Sequence, residues 1–263
     1  MGPEIEQVDG LAVTRRGDRA GPTVVFVHGT MDRSAAFRRT ARNLEDFDVV
    51  MFDRRGYGQS RAAGLAPTID DQLADLRAVV EWTGATPVTL VGHSLGGLIS
   101  LHLSVGRPDL VASVGVWESP MPWFDWYASS PEARPIGRAA IAEGPEAAEL
   151  FLRAMIGDRL WERMPGAMKD ERRAESAALV ADLALCRRPE ARLDFDRVIS
   201  PVIVGTGSDS APRFRQSAAT MRDSLPNAMM VEVAGAQHGV HLTHPDEFAA
   251  FVRATVARRQ PVG

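Results

Sequence analysis

"VTLVGHSLGGLIS" (residues 88–100) places Ser94 between two glycines, where a strand-like apolar run gives way to a helix-like one. A sharp turn between a strand and a helix needs small residues on both sides of its apex, because the two elements approach each other closely there. Gly92 and Gly96 stand two residues before and two residues after Ser94. This spacing predicts that Ser94 is presented at the apex of such a turn. The alternative is a glycine-rich structural turn that contains a serine by chance.

Strand-like apolar runs alternate with helix-like segments on both sides of this stretch. The strand-like runs occupy residues 23–29, 48–52, 87–94, 111–120, 201–209 and 228–235. The helix-like segments include residues 68–84, 95–109 and 244–259. Continuous apolar strands separated by helices are typical of a mostly parallel sheet that helices cover on both faces. The sequence therefore predicts an α/β fold.

The segment from residue 120 to residue 197 breaks this alternation. It contains alanine-rich amphipathic pieces and no clear strand, which predicts several helices inserted between two strands. We expect these helices to form a cap over one end of the sheet. The predicted domains are a core of residues 1–119 and 198–263 and a helical cap of residues 120–197.

The bulk composition limits the classes of function. The 263-residue chain has a formal net charge of −4 and scattered arginines, so we expect no nucleic-acid partner. Cys186 is its only cysteine, which suits a reducing compartment. The first ten residues lack the features of a signal peptide, and no apolar stretch reaches the ~20 residues of a membrane span. We therefore expect a cytoplasmic protein without a membrane span, either a monomer or a homodimer.

A serine hydroxyl becomes a good nucleophile only when a base takes its proton and an acid orients that base. His238 lies in the loop after the last predicted strand, at the same sheet edge as Ser94. Two acids, Asp209 and Glu118, also follow strands at this edge. The order Ser94, Asp209, His238 is the order that accompanies the serine turn. Asp209 is therefore the expected partner of His238, and Glu118 is its rival.

Acyl transfer at Ser94 also needs hydrogen-bond donors for an oxyanion. One expected donor is the backbone N–H of Leu95, the residue after the nucleophile. The second is expected in the loop after the first buried strand, where the N–H of Thr30 is preferred and Met31 is the alternative. His28 is expected to fix this loop by hydrogen bonding.

A metal site is an alternative use of the histidines near the C-terminus. His238, His241 and His244 recur at every third residue. No acidic or cysteine ligand pattern accompanies them, so the sequence favours loop and helix-start roles for His241 and His244. Neither a metal ion nor an organic cofactor is implied.

Five short motifs follow one another in order: "VHGT", "FDRRGYGQS", "VGHSLGG", "GSD" and "AQHG". Together they resemble the α/β-hydrolase superfamily over about residues 23–253. The resemblance implies an eight-stranded sheet with a helical cap and a catalytic triad of Ser94, Asp209 and His238. It also implies that residues 4–18 supply the first strands as a hairpin.

The predicted cap opens with aromatic residues. The aromatics expected to line an apolar substrate pocket are Trp117, Trp123, Phe124, Trp126 and Tyr127, and packing of these rings onto the sheet is an equal alternative. Met31 and Glu118 are further candidates for the pocket wall.

The sequence shows no evident pair of cations for a carboxylate-bearing substrate, although Arg33, Arg54 and Arg213 are candidates to reach the pocket mouth. The expected substrate is therefore a small to medium, largely apolar ester. The expected function is a serine hydrolase that cleaves carboxylic esters, thioesters or lactones through an acyl-enzyme. Two alternatives stay open. The same triad could catalyse carbon–carbon bond hydrolysis or cofactor-free peroxidation, or the protein could be a low-turnover binding or signalling protein.

Overall fold

A computed structural model describes residues 4–131 and 133–259. Its strands are β1 (Ile5–Val8), β2 (Leu11–Gly17), β3 (Thr23–Val27), β4 (Asp48–Phe52), β5 (Val88–His93), β6 (Val111–Trp117), β7 (Val202–Gly207) and β8 (Ala228–Val233). They form one sheet in the order β1-β2-β4-β3-β5-β6-β7-β8. β2 pairs antiparallel with β1 and β4, and all other neighbours are parallel. The predicted eight-stranded, mostly parallel sheet is confirmed, including the hairpin within residues 4–18.

Helices cover both faces of this sheet. They are α1 (Arg38–Arg42), α2 (Ile69–Trp82), α3 (Leu95–Gly106), α4 (Asp125–Ala128), α5 (Ala133–Ala139), α6 (Glu146–Ile156), α7 (Asp158–Arg163), α8 (Gly166–Arg173), α9 (Ser176–Leu185), α10 (Pro212–Ser224), α11 (Val240–Thr243) and α12 (Pro245–Ala257). Leu76, Leu98 and Met221 belong to one core cluster, from α2, α3 and α10. Phe248 and Phe251 of α12 belong to the other. Within the described ranges, no helix combines the length and the hydropathy needed to cross a bilayer.

Helices α4 to α9 lie between β6 and β7, where the sequence predicts an insertion. They pack on the loops at one edge of the sheet: Met31 and Tyr57 of those loops share a core cluster with Phe151, Trp161 and Leu179 of the inserted helices. The helical content of the insertion thus agrees with the prediction. Its division from the core as a separate cap domain stays a prediction.

Two carboxylates tie the inserted helices to the loops of the sheet edge. Asp182 of α9 accepts hydrogen bonds from the Arg54 guanidinium at 2.7 and 3.1 Å and from the Tyr57 hydroxyl at 2.7 Å. Glu175, just before α9, accepts one from Arg33 Nε at 2.8 Å. Both carboxylates are buried. Because an unpaired buried charge is costly, these contacts hold α9 against the sheet edge.

Parallel strands bring their carboxyl ends to one edge of the sheet, and functional residues of such folds collect there. The residues that follow these strand ends are Thr30 after β3, Ser94 after β5, Glu118 after β6, Asp209 after β7 and His238 after β8. The fold therefore gathers every predicted catalytic residue on the side covered by the inserted helices.

Candidate active site

Ser94 occupies the turn between β5 and α3 in a strained conformation, with φ at 53° and ψ at −124°. A non-glycine residue in such a conformation costs on the order of 1–3 kcal/mol. A Cβ at Gly92 would collide with the Gly97 backbone, and one at Gly96 would collide with the Val27 carbonyl. The two glycines are therefore needed because strand and helix leave no room for a side chain. The predicted sharp turn with close approach of the two elements is confirmed.

The loop after β3 lies directly against Ser94. A Cβ at Gly29 would stand 2.8 Å from the Cβ of Ser94. Thr30 and Leu95 line the same cavity as Ser94. Neither of their backbone N–H groups donates a hydrogen bond to another residue in the described part of the chain. Leu95 is also the first residue of α3, where the helix dipole favours negative charge. Two free donors thus flank the serine.

His28 fixes this loop, as expected. Its Nδ1–H donates to the Gly29 carbonyl at 2.8 Å, and its Nε2 accepts from the Arg54 N–H at 2.8 Å. One donating and one accepting nitrogen require a neutral ring. Burial, followed by the charge of Arg54, lowers the pKa of His28 to about 4. The neutral ring therefore holds the loop across the neutral pH range.

Glu118 is the carboxylate that lies against His238. Its Oε2 is 2.8 Å from His238 Nδ1, and its Oε1 accepts from Thr206 Oγ1 at 2.8 Å and from the Gly207 N–H at 3.0 Å. Burial raises the pKa of Glu118, but hydrogen bonds from His238 and Gly207 outweigh burial, and the net pKa lies below its ordinary value. Glu118 is therefore ionised and accepts from His238 Nδ1–H. The Nε2 of His238 is left to take up a proton.

Asp209 points elsewhere, and its expected pairing with His238 is wrong. Its exposed carboxylate accepts from the Ser208 hydroxyl at 2.9 Å, while its N–H donates to the Ala236 carbonyl at 3.0 Å. Glu118 takes the position instead because β6 lies next to β5 and the backbone turns at Glu118 with φ at 48°. In the sequence, the signal that could have identified Glu118 is its position directly after β6, the strand next to the one that leads to Ser94.

His93 holds the base from behind. Its Nε2–H donates to the backbone carbonyl of His238 at 2.8 Å. Burial, followed by the neighbouring His241 and His238, lowers the pKa of His93 well below its ordinary value, so the ring is neutral. The two residues are 145 positions apart. The sequence suggests a hydrogen-bonding role for His93 rather than a chemical one, but no local pattern indicates its partner over such a separation.

A second polar group lies behind His93. The Nε2–H of His241 donates to Asp32 Oδ2 at 2.9 Å. Asp32, His93 and His241 each offer one ligand atom, and these atoms lie within 4.8 Å of one another. A carboxylate and two imidazoles are a donor set that zinc or iron accepts. These are the residues that could hold a metal ion. His244 of the evenly spaced histidines is instead hydrogen-bonded to Thr243 Oγ1 at 2.8 Å.

A cavity of about 230 Å³ lies above Ser94, between the sheet edge and the inserted helices. Its apolar wall includes Ile136 of α5, Phe151 and Met155 of α6, Leu183 of α9 and Phe214 of α10. The Phe214 ring stacks on the His238 imidazole, with ring centres 4.0 Å apart and planes 9° apart. A mostly apolar chamber therefore encloses the serine and adjoins the base.

Of the predicted pocket aromatics, Tyr127 lines the described part of this wall, whereas Trp123, Phe124 and Trp126 do not. Trp123, Phe124 and Trp126 pack against the core cluster beside β6, which agrees with the alternative interpretation of these rings. Met31 is buried under the inserted helices, and Glu118 lies behind His238. The expectation for Trp123, Phe124, Trp126, Met31 and Glu118 as pocket wall is therefore corrected, because each of them packs against other protein groups instead.

Curated relatives include several hydrolases. Lipase LipV of Mycobacterium tuberculosis (strain ATCC 25618 / H37Rv) is 36% identical over 105 residues, which is 40% of this chain and 40% of that lipase. The pimeloyl-[acyl-carrier protein] methyl ester esterase of Chromobacterium violaceum is 29% identical over 87% of this chain and 91% of its own. The 2-(acetamidomethylene)succinate hydrolase of Mesorhizobium japonicum is 27% identical over 90% and 87%.

Solved structures share the fold over nearly the whole chain. An alpha/beta hydrolase from Sphaerobacter thermophilus DSM 20745 superposes with a TM-score of 0.73 at 24% identity, covering 96% of this chain and 100% of that one. DBJA superposes with a TM-score of 0.74 at 22% identity, covering 97% and 98%. The family model described as the alpha/beta hydrolase family matches residues 24–251. The chain therefore belongs to the alpha/beta hydrolase family.

Proposed function

We propose that the protein is a serine hydrolase that cleaves carboxylic esters through an acyl-enzyme on Ser94, with His238 as the base and Glu118 as the acid that orients it. The observation that carries this proposal is the 2.8 Å contact between His238 Nδ1 and Glu118 Oε2, at the sheet edge that also holds Ser94 on its strained turn. A serine, a histidine and an ionised carboxylate in this arrangement suit acyl transfer.

Each group has one role in the proposed reaction. His238 Nε2 takes the proton of the Ser94 hydroxyl as Oγ attacks the ester carbonyl carbon. The carbonyl oxygen becomes an oxyanion that accepts hydrogen bonds from the N–H groups of Thr30 and Leu95. When the intermediate collapses, His238 gives its proton to the departing alcohol. Water then attacks the acyl-enzyme by the same route, which releases the carboxylic acid and restores Ser94.

Glu118 keeps His238 in the productive tautomer and stabilises the imidazolium that forms during each half-reaction. Its second oxygen is already engaged by Thr206 and Gly207, so the carboxylate is held in place before substrate binds. His93 is a positioning residue, because it binds the backbone of the base rather than the reacting atoms. The geometry is thus preorganised around His238.

The ester class rests on the relatives and on the cavity. Two of the relatives are named as a lipase and a methyl ester esterase. A chamber of about 230 Å³ suits a small to medium acyl or alcohol group. The surrounding wall is mostly apolar, which favours the uncharged reacting end of an ester.

Hydrolysis of p-nitrophenyl esters from acetate to octanoate tests the proposal, with Ser94→Ala measured beside the wild type. We expect turnover in the wild type and its loss in the variant, with an optimum of acyl length that reflects the chamber. A fluorophosphonate should label the wild type and not the variant. Absence of both turnover and labelling would reject the serine-hydrolase assignment. Labelling without turnover of these esters or of a half-ester such as monomethyl adipate would leave a competent Ser94 and reject the ester class in favour of another acyl or carbon–carbon substrate.

A further inference from the structure

Arg213, the second residue of α10, is a buried arginine without an acidic partner in the described ranges. It is 4% exposed, and its Nε and Nη1 atoms have no hydrogen-bond partner within residues 4–131 and 133–259. Its Nη2 lies 3.9 Å from the thioether sulfur of Met155, which is a weak acceptor. Burying a guanidinium costs free energy unless acceptors and an opposite charge compensate for it. The rings of Tyr127 and Phe214 lie against the guanidinium at 5.6 and 4.6 Å, but no carboxylate of the described ranges neutralises it, so an anion bound here would be stabilised.

Two arginines of the sheet-edge loops, by contrast, are compensated by the protein itself. Arg54 is paired with Asp182 at 2.7 Å, and Arg33 is paired with Glu175 at 2.8 Å and Glu171 at 2.7 Å. Their charges are used to hold the inserted helices. Arg213 is buried like Arg54 but has no carboxylate partner in the described ranges. Its unpaired charge therefore suits ligand binding rather than a structural role.

Arg213 lies in the wall of the same chamber as Ser94. Its guanidinium stands over the Phe214 ring, 4.6 Å from the ring centre, and Phe214 stacks on His238 at 4.0 Å. A single aromatic ring thus separates the guanidinium from the catalytic base. A group bound at Arg213 would therefore be held a short, defined distance from the scissile carbonyl.

The charged residues in the described wall of the chamber are both positive, Arg187 and Arg213. Arg187 is exposed at the rim, whereas Arg213 is buried. An anion that enters meets no acidic side chain in this part of the wall. We propose that Arg213 binds a free carboxylate of the substrate, so that the preferred substrates are half-esters of small dicarboxylic acids. This inference rests on the proposed function, because it assigns the far end of the ester cleaved at Ser94.

The chemistry of the guanidinium supports a carboxylate. A carboxylate can accept one N–H of Nη2 in parallel with one of Nε or of Nη1, because each of these pairs points in the same direction in the plane of the guanidinium. The charge-assisted hydrogen bonds would also relieve the unpaired buried charge. The apolar side chains that line the same chamber as Arg213 and Ser94 suit the methylene spacer of such a half-ester.

Two matched esters test the inference. Monomethyl adipate and methyl hexanoate differ only in whether the far end carries a carboxylate or a methyl group. We expect wild-type kcat/KM for monomethyl adipate to exceed that for methyl hexanoate by about 10²-fold, because the neutral ester leaves the Arg213 guanidinium without a carboxylate partner. In Arg213→Met the ratio of the two kcat/KM values should fall to near one. Arg213→Lys should retain part of the preference, because it keeps the charge and loses the planar fork.

Arg222→Met is the matched control, because Arg222 lies on the same helix and pairs with Asp223 at the surface. It should keep the wild-type preference. A wild type without preference would overturn the inference, and so would an Arg213→Met variant that loses activity on both esters equally. The latter result would mean that Arg213 only supports Phe214 and His238.

Binding of adipate itself separates this inference from the proposed function. Calorimetry should give a Kd that rises at least about 10-fold in Arg213→Met, and it needs no turnover. Loss of all ester hydrolysis and of fluorophosphonate labelling, with adipate binding still dependent on Arg213, would reject the hydrolase assignment and keep the carboxylate site. Adipate binding that is absent or insensitive to Arg213 would reject the carboxylate site.

Discussion

The sheet edge and the inserted helices form opposite walls of one chamber, and they are built in different ways. At the sheet edge, Met31, Ser94 and Glu118 all adopt a positive φ, so the backbone itself aims the reactive groups. Their polar neighbours are joined to one another by short hydrogen bonds. The inserted helices contribute apolar side chains such as Phe151 and Leu183, and none of these depends on a special backbone conformation. The proposed reactive groups therefore belong to one wall, and most of the apolar surface that limits substrate shape belongs to the other, with Arg213 and Phe214 of α10 as additional lining residues.

Removal of the Ser94 hydroxyl should have the largest effect. It tests whether the proposed reactive groups lie only in the sheet-edge wall. Ser94→Ala should lower kcat by at least about 10³-fold, because no other group of the wall can form the acyl-enzyme. Its melting temperature should stay close to that of the wild type, since the strained turn and its glycines are unchanged. Ser208→Ala, at a serine bonded to Asp209 outside the chamber, is the control and should keep full activity. A Ser94→Ala variant that still hydrolyses esters at the wild-type rate would place the reaction elsewhere.

The acid of the reactive wall can be identified by a pair of isosteric substitutions. Glu118→Gln should lower kcat by about 10²- to 10⁴-fold, because it removes the charge that orients His238. Asp209→Asn should change kcat less than about 3-fold, because that carboxylate is exposed and bonded to Ser208. Steady-state kinetics on one p-nitrophenyl ester compares them directly. The opposite ranking would return the acid role to Asp209.

The ion pair between Asp182 and Arg54 connects the two walls, and its removal should have the next largest effect. Asp182→Asn should lower the free energy of unfolding by about 3–5 kcal/mol, because it leaves Arg54 buried without its charge partner. Asp158→Asn removes an exposed partner of Arg153 and should cost less than about 1 kcal/mol. Urea unfolding of both variants measures the difference. Equal small effects would mean that α9 is held by apolar packing alone.

The reactive wall also carries a pH dependence that arises from a buried histidine. The pKa of buried His28 is lowered to about 4, so the unfolded chain binds a proton here that the folded chain excludes. This contribution to stability is complete above the ordinary histidine pKa of about 6.5 and is lost as pH falls toward 4, by about 3 kcal/mol at most. In His28→Asn the melting temperature should fall less steeply between pH 6.5 and 4. His244→Asn, outside this loop, should follow the wild-type slope.

The parts that the sequence predicted depend on short-range patterns. Gly92, Ser94 and Gly96 are local, and the turn they require is visible from their spacing alone. The same holds for the start of α2, where Thr68 and Asp71 form a reciprocal cap across one helical turn. Local patterns of this kind place the strands, the helices and the nucleophile.

The features that the sequence did not predict depend on contacts between distant segments of the chain. Asp209 and Glu118 both follow strands, and only the register of neighbouring strands and the backbone turn at Glu118 decide which carboxylate meets His238. The wall of the chamber depends on how short helices pack, so Trp123 could not be distinguished from Phe214 by composition. Side-chain direction within an insertion is set by the tertiary structure.

The chain order of the reactive wall has a consequence for how such proteins diversify. Thr30, Ser94 and Glu118 all precede the inserted helices, and only His238 follows them. A different set of helices can therefore be exchanged into the same gap without interrupting the strands that carry the chemistry. The exchanged helices must supply a carboxylate in place of Asp182, because Arg54 would otherwise be buried without its charge partner. Chimaeras that meet this condition should inherit the proposed reaction and the carboxylate preference of Arg213 from the recipient, and the size limits of the apolar chamber from the donor.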